Sequence, residues 1–225
     1  MVLLNLDAGE HDDEPEELWA LADVLSIACG GHTGDDRSMT RVVGFCAGRS
    51  RPRIGAHPSY PDRLGFGRRS LTIEPQALRA TVLAQCAALA RIAAAHRQRV
   101  EWVKPHGALY HDAAKDLSVA HSIIDAAIEA LGTDVAVIGP PNSVLEQVAA
   151  VRSLRYFREG FADRATRADG SLVPRSEPDA LITDLQQVAA RARALDVETV
   201  CVHADTPGAL AIARTVRSVL DSREA

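Results

Sequence analysis

Seven short apolar runs alternate along the chain with stretches of helical periodicity. The runs are VLLNLD (2–7), LSIAC (25–29), RIGAH (53–57), VEWVKPH (100–106), DVAVIG (134–139), SLRYFREGF (153–161) and ETVCVHAD (198–205). Each has the length and the aliphatic character of a buried strand. Between them, apolar residues recur at three- and four-residue spacing, which predicts helices. These cover 14–24 with Pro15 near its start, 35–47, 74–96 entered through Pro75, and 116–131 stopped by Gly132. Further helices are expected over 143–150, 181–194 and from Pro207 to about 221, with an Asp169–Gly170 turn in the loop before 181. Seven β/α units without a linker or repeat predict one domain over residues 1–225. The favoured fold is a seven-stranded parallel β/α barrel, closed or nearly so, and an open doubly wound sheet is the alternative.

The polar residues are placed where such a fold puts chemistry. Asp7 and Glu10, His32 and Asp35, His57, Lys104 and His106, Glu159 and Asp163, and His203 and Asp205 sit at or just beyond six of the seven run ends. In parallel β/α folds ligands bind at the carboxyl ends of the strands.

Composition narrows the partners. Hydrophobic residues make up 47% of the 225 positions and aromatics only 4%, so the core is aliphatic. The net charge of −5 and the lack of a long basic block argue against nucleic acid. RSRPR (49–53) and GRRS (67–70) read as short solvated turns. Cys29, Cys46, Cys86 and Cys201 lie far apart with no CxxC pair, so neither a disulfide framework nor a structural zinc site is indicated, and they read as reduced thiols. The N-terminus lacks a signal-peptide pattern and no apolar stretch approaches a membrane span. A cytoplasmic protein with a small-molecule substrate is expected. Self-association through the Ala-rich helices stays open.

Five motifs carry the candidate chemistry. In CGGHTGD (29–35), His32 lies in a glycine-rich loop, and Asp35 either lines the site or caps the next helix. GAHPSYPDRLGFGRR (55–69) offers His57, with Arg68 and Arg69 as holders of a carboxylate or phosphate. In VKPHGALY (103–110), Lys104 and His106 are two apart and share a face. A lysine inside a barrel needs a counter-charge, for which Asp7 is a candidate. EGFADRATRADGSLVPR (159–175) holds Glu159, Asp163 and Arg164. In VHADTPGAL (202–210), His203 and Asp205 end the last strand. Four histidines with several carboxylates are compatible with a catalytic metal, but no HExxH pattern marks one, so metal content stays unknown.

LNLDAGE, IACGGHTGD, IGAHPSYPDRLGFGRR, VKPHGALY, FADRATRADGSLVPR and VHADTPGAL, in this order, resemble the LamB/YcsF family, the A subunit of the prokaryotic ATP-dependent 5-oxoprolinase. The resemblance implies an incomplete β/α barrel of the glycoside hydrolase/deacetylase type. It implies partner subunits B and C, ATP as co-substrate with Mg, and opening of 5-oxo-L-proline to L-glutamate. By the same resemblance Asp7, Glu10, His57, Lys104 and His106 are the catalytic candidates. Asn5, His32, Asp35, Asp163, Arg164, His203 and Asp205 would bind substrate or phosphate, and Arg68 joins them on its own chemistry as an anion holder. Lys104 would clamp phosphate, Asp7 or Glu10 would activate water, and His57 or His106 would protonate the leaving nitrogen. No GxxxxGKS or GxxxxGKT loop occurs, so ATP is bound unconventionally or by a partner. The chain departs from the family pattern at Leu3, Ser26, Gly31 and Ala204 and in the stretch HDDEPEE after Glu10. Two other readings are a stand-alone metal-dependent hydrolase of the carbohydrate deacetylase type and a noncatalytic subunit that orients its partners.

Overall fold

A computed structural model describes residues 2–167, 172–175 and 177–223. Seven parallel strands close into a barrel: β1 (Leu3–Ala8), β2 (Val24–Ala28), β3 (Arg53–His57), β4 (Val100–Val103), β5 (Ala136–Gly139), β6 (Tyr156–Phe161) and β7 (Thr199–Val202). Each strand pairs with its sequence neighbour, and β1 pairs with β7, Asn5 opposite Cys201. The barrel is therefore one strand short of the eight of the commonest β/α barrel, yet it has no free edge.

Strand periodicity sorts the side chains. On β1, Leu4, Leu6 and Ala8 belong to the large core shared with the surrounding helices. The alternate residues face inward. At the amino-terminal end of the barrel, Val24, Trp102, Ala136 and Ile138 pack with Leu3 and Phe157 in a separate apolar cluster. Trp102 and Phe157 meet edge to face at 4.5 Å between ring centroids. Two residues further along the same strands the lining turns polar, with Asn5, Lys104 and Glu159 buried and mutually bonded. Cys201, opposite Asn5, belongs to this level, and the next carries Asp7 and His203.

The helices follow their caps. Asp35, Asp116, Ser143 and Asp184 cap α2 (Asp36–Cys46), α5 (Leu117–Leu131), α6 (Val144–Val151) and α7 (Leu185–Ala194) by accepting from backbone N–H groups of the first turn. The cap moves α7 from the expected 181 to 185, because Leu181 instead bridges Arg164. The final helix, α8 (Ala209–Ser222), begins after Gly208 at φ 80° rather than at Pro207. The helix expected over 14–24 shrinks to α1 (Glu16–Trp19), because the chain must turn by Asp23, whose carboxylate accepts from Leu4 N and pairs with Arg51. A helix not expected, α4 (Gly107–Ala113), follows β4 and buries Leu109, Tyr110 and Ala113. The Asp169–Gly170 turn lies outside the described residues.

One expectation about membranes is corrected. The helix α3 (Pro75–Ala95) has 21 residues and is long and apolar enough to span a bilayer. Its Ala-rich composition hides this length from a search for aliphatic runs. Its Leu78, Val82, Cys86, Leu89 and Ala93 are buried in the common core with α5, which accounts for the apolar character. All four cysteines are free and buried.

Candidate functional site

The carboxyl ends of the strands open on a cavity of about 540 Å³. Asp7, Glu10, His57, Arg68, Lys104, His106, Glu159, Arg164 and His203 line it, together with Tyr110 and Arg175.

Its floor is a buried charge network. Lys104 Nζ lies 2.6 Å from Asp7 Oδ1 and 3.0 Å from Glu159 Oε1, and also donates to Asn5 Oδ1 at 3.0 Å. Asn5 Nδ2 in turn donates to Glu159 Oε1 and Thr199 Oγ1. Burial opposes the charge on Lys104, but Asp7, Cys201 and Glu159 outweigh it and hold the ammonium pKa well above its ordinary value. Burial likewise opposes ionisation of Asp7, and His57 and Lys104 overcome it and keep this carboxylate ionised. Lys104 thus has the carboxylate partner that its burial requires.

Above the floor stands a histidine cluster. Glu10 Oε1 is 2.9 Å from His32 Nε2 and 3.3 Å from His106 Nδ1. His57 Nε2 is 3.0 Å from His106 Nδ1 and 3.4 Å from Asp7 Oδ2. His32 and His106 stack face to face, 3.6 Å between centroids. Gly67, at φ 64°, lets the loop after β3 close over them, since a Cβ there would stand 2.9 Å from His32 Cβ and 3.0 Å from His106 Cδ2. Burial and the neighbouring His106 push the His32 pKa down to about 3, against the pull of Glu10.

The loop carrying Glu10 is tied from below by Glu14. The Glu14 carboxylate accepts from the backbone N–H groups of Gly9, Glu10 and His11 and from Trp19 Nε1, all at 2.8–2.9 Å. Sequence reading missed this residue because it sits in the acidic run HDDEPEE, which reads as solvated charge.

On the opposite wall Asp163 accepts from His203 Nδ1 at 3.0 Å, from His203 N and from Thr206 Oγ1. His203 Nε2 faces Asp7 Oδ2 at 3.9 Å. Burial alone would lower the His203 pKa, but Asp163 and Asp7 raise it, and the His203 charge keeps Asp163 low despite burial. A raised histidine pKa stabilises the fold fully below its unfolded value and less as pH climbs through the folded one. A depressed aspartate contributes in the opposite sense, losing its share as pH falls. The wild-type urea midpoint is therefore expected to drop between about pH 6.5, the ordinary histidine value, and more alkaline pH. His203→Gln is expected to flatten that slope.

The rim is cationic. Asp205 pairs with Arg68 at 2.9 Å, and Arg175 Nη2 stands 2.8 Å from Asp205 Oδ1, off the angle of a hydrogen bond. Arg164 donates to the Val173 carbonyl at 2.7 Å and has no carboxylate partner among the described residues. Its burial and the neighbouring Arg175 lower its pKa to about 10, so it stays charged. The buried Glu159 Oε2 and Tyr110 hydroxyl have no hydrogen-bond partner among the described residues. Arg175 and Tyr110 were not singled out in the sequence. Arg175 follows the long loop, away from any strand end, and Tyr110 lies on the unexpected α4.

Of the expected site residues, Arg69 and Asp35 fall outside this arrangement. Arg69 is spent on the Asp62 carboxylate. Asp35 is exposed, and its capping box with Ser38 accounts for it.

Fold and site together define a closed parallel β/α-barrel protein whose polar site lies at the carboxyl ends of its strands. The chain belongs to the LamB/YcsF family, whose family model matches residues 3–225. Relatives named as the A subunit of 5-oxoprolinase include one from Methylococcus capsulatus, 39% identical over 98% of this chain and 92% of its own, and one from Chloroflexus aggregans, 40% identical over 97% and 94%. A solved structure of a lactam utilization protein from Thermus thermophilus is 33% identical, with a TM-score of 0.87 over 99% of this chain and 97% of its own. A T48 deacetylase structure, 11% identical with a TM-score of 0.50, shares the fold alone.

Proposed function

We propose that this chain acts as the A subunit of an ATP-dependent 5-oxoprolinase, a cytoplasmic enzyme completed by subunits B and C, and opens the lactam of 5-oxo-L-proline to L-glutamate. The observation that carries this reading is one cavity faced by both a cationic rim and acid–base groups. The substrate is a small ring bearing a carboxylate. Arg68, Arg164 and Arg175, with Asp205 as their one acidic partner among the described residues, leave excess positive charge for that carboxylate or for a phosphoryl group. Names of the relatives support the same assignment.

A lactam is a stable amide, so ATP is used to activate it. Transfer of the γ-phosphoryl group to the amide oxygen releases ADP and makes the carbon electrophilic. Water adds, the C–N bond breaks as the nitrogen takes a proton, and an acyl phosphate remains. A second water releases phosphate and glutamate. In this scheme partner subunits bind Mg and ATP, consistent with the absence of a phosphate-loop motif here.

The geometry redistributes the roles expected from sequence. Lys104 is already neutralised by Asp7 and Glu159, so the arginine rim takes the anion. Asp7 is the base for water. His203, with its pKa raised and its Nε2 toward the cavity, is the acid for the leaving nitrogen. His57 and His106 each spend one ring nitrogen on a backbone carbonyl and turn the other toward Glu10.

Glutamate release from 5-oxoproline, with and without ATP, by this chain alone and with subunits B and C, tests the proposal. Release that needs both ATP and all three subunits is expected. No release from folded, associated subunits would overturn the substrate assignment. Within the complex, Arg68→Gln is expected to raise KM about tenfold or more, the equivalent of one charge-assisted hydrogen bond, with kcat nearly unchanged.

A further inference from the structure

The histidine cluster contains a contact that neutral side chains do not explain. His57 Nδ1 lies 2.7 Å from the Lys104 carbonyl oxygen, and His106 Nε2 lies 2.9 Å from the Phe66 carbonyl oxygen. A carbonyl only accepts, so both of these nitrogens carry hydrogen. The opposite nitrogens, His57 Nε2 and His106 Nδ1, therefore present lone pairs to each other at 3.0 Å. Glu10 Oε1 adds a third electron-rich atom, 3.3 Å from His106 Nδ1 and 3.9 Å from His57 Nε2. All three groups are buried, so water does not screen the repulsion. Something positive belongs between them.

We infer that His57 Nε2, His106 Nδ1 and Glu10 Oε1 form a binding site for one divalent transition-metal ion, with zinc the best match. Donors about 2.0–2.1 Å from a tetrahedral zinc stand about 3.3 Å from one another. The three separations of 3.0, 3.3 and 3.9 Å bracket that value. Two imidazoles and one carboxylate suit zinc, with nickel, cobalt and iron as competitors, and suit magnesium poorly. The carbonyls of Lys104 and Phe66 fix the tautomers in the manner of the outer partners of metal-binding histidines. His32 donates from Nε2 to the same Glu10 oxygen at 2.9 Å and stacks on His106, so it orients the carboxylate. The donors arrive from three different strand ends, β1, β3 and β4, and all line the cavity. A three-ligand set with a position open to the cavity is the catalytic type, and the ion would act as a Lewis acid on a carbonyl oxygen held there.

This site goes beyond the lactam reading, because metal binding is measured without substrate. The purified full chain would be stripped with a chelator and titrated with Zn²⁺, Ni²⁺ and Mg²⁺ by calorimetry, with metal content read by mass spectrometry. One Zn²⁺ per chain, with little Mg²⁺ binding, is expected. Zinc is also expected to raise Tm. His57→Gln and His106→Gln should each weaken zinc binding by at least about tenfold, while His96→Gln leaves it unchanged. Should either variant fail to fold, ¹⁵N NMR of the wild-type imidazoles decides, because zinc must shift His57 Nε2 and His106 Nδ1. Stoichiometric zinc that leaves those two signals in place, or that survives both substitutions, would put the ion elsewhere and overturn the site. So would the absence of zinc binding together with a proton shared between the two rings.

Discussion

Lys104→Met is expected to remove about 3–5 kcal/mol from the unfolding free energy, the usual cost of leaving a buried charge without its partner. Two carboxylates, not one, lose their counter-charge. Asp7 and Glu159 both stand within 3.0 Å of Lys104 Nζ, and both side chains are 4% exposed or less. Urea denaturation measures the loss directly. Adding Asp7→Asn and Glu159→Gln to Lys104→Met removes the stranded charges and should recover most of the stability. A single variant as stable as wild type would show that the network is open to water or that the carboxylates protonate at little cost. A phosphate clamp at Lys104, the role expected from sequence, predicts instead a folded variant that has lost turnover. The network makes any such turnover loss a reading of stability first.

Asp7→Asn is expected to lower kcat of the reconstituted complex by about 10²–10⁴-fold, the range for losing a general base. The substitution is nearly isosteric. The amide oxygen can still accept from Lys104, and Glu159 still balances the ammonium. The loss should therefore fall on kcat with little change in KM, and the urea midpoint should fall less than in Lys104→Met. Full turnover in the Asp7→Asn complex would show that this chain only orients its partners, and would place the chemistry in them.

Much of this arrangement was legible because strands repeat with a period of two. In LNLDA the polar positions alternate with leucines, so Asn5 and Asp7 had to share a face, and the barrel makes that face the interior. The same rule joined Lys104 to His106. The run ends gathered residues far apart in the chain, such as Asn5 and Glu159, separated by 154 positions. What stayed hidden depends on side-chain direction or on loops. Asp35 lies in the same CGGHTGD motif as His32, yet one turn of chain separates a helix cap from the cluster. Glu14 resembles its solvated acidic neighbours until its four donors are counted. Leu109, Tyr110 and Ala113 carried a helical pattern, but it was too short to stand out from the strand before it. The facing lone pairs of His57 and His106 follow from two backbone carbonyls that no spacing rule locates.

Trp102 and Phe157, with Val24, Ala136 and Ile138, fill the amino-terminal end of the barrel. The barrel is thus a cup with one mouth. On the proposed function, substrate enters and both products leave through the same opening, past Arg68 and Arg175. A partner seated on that mouth would then hold glutamate and phosphate inside until it shifted. Turnover of the complex would be paced by traffic through a single doorway as much as by bond breaking.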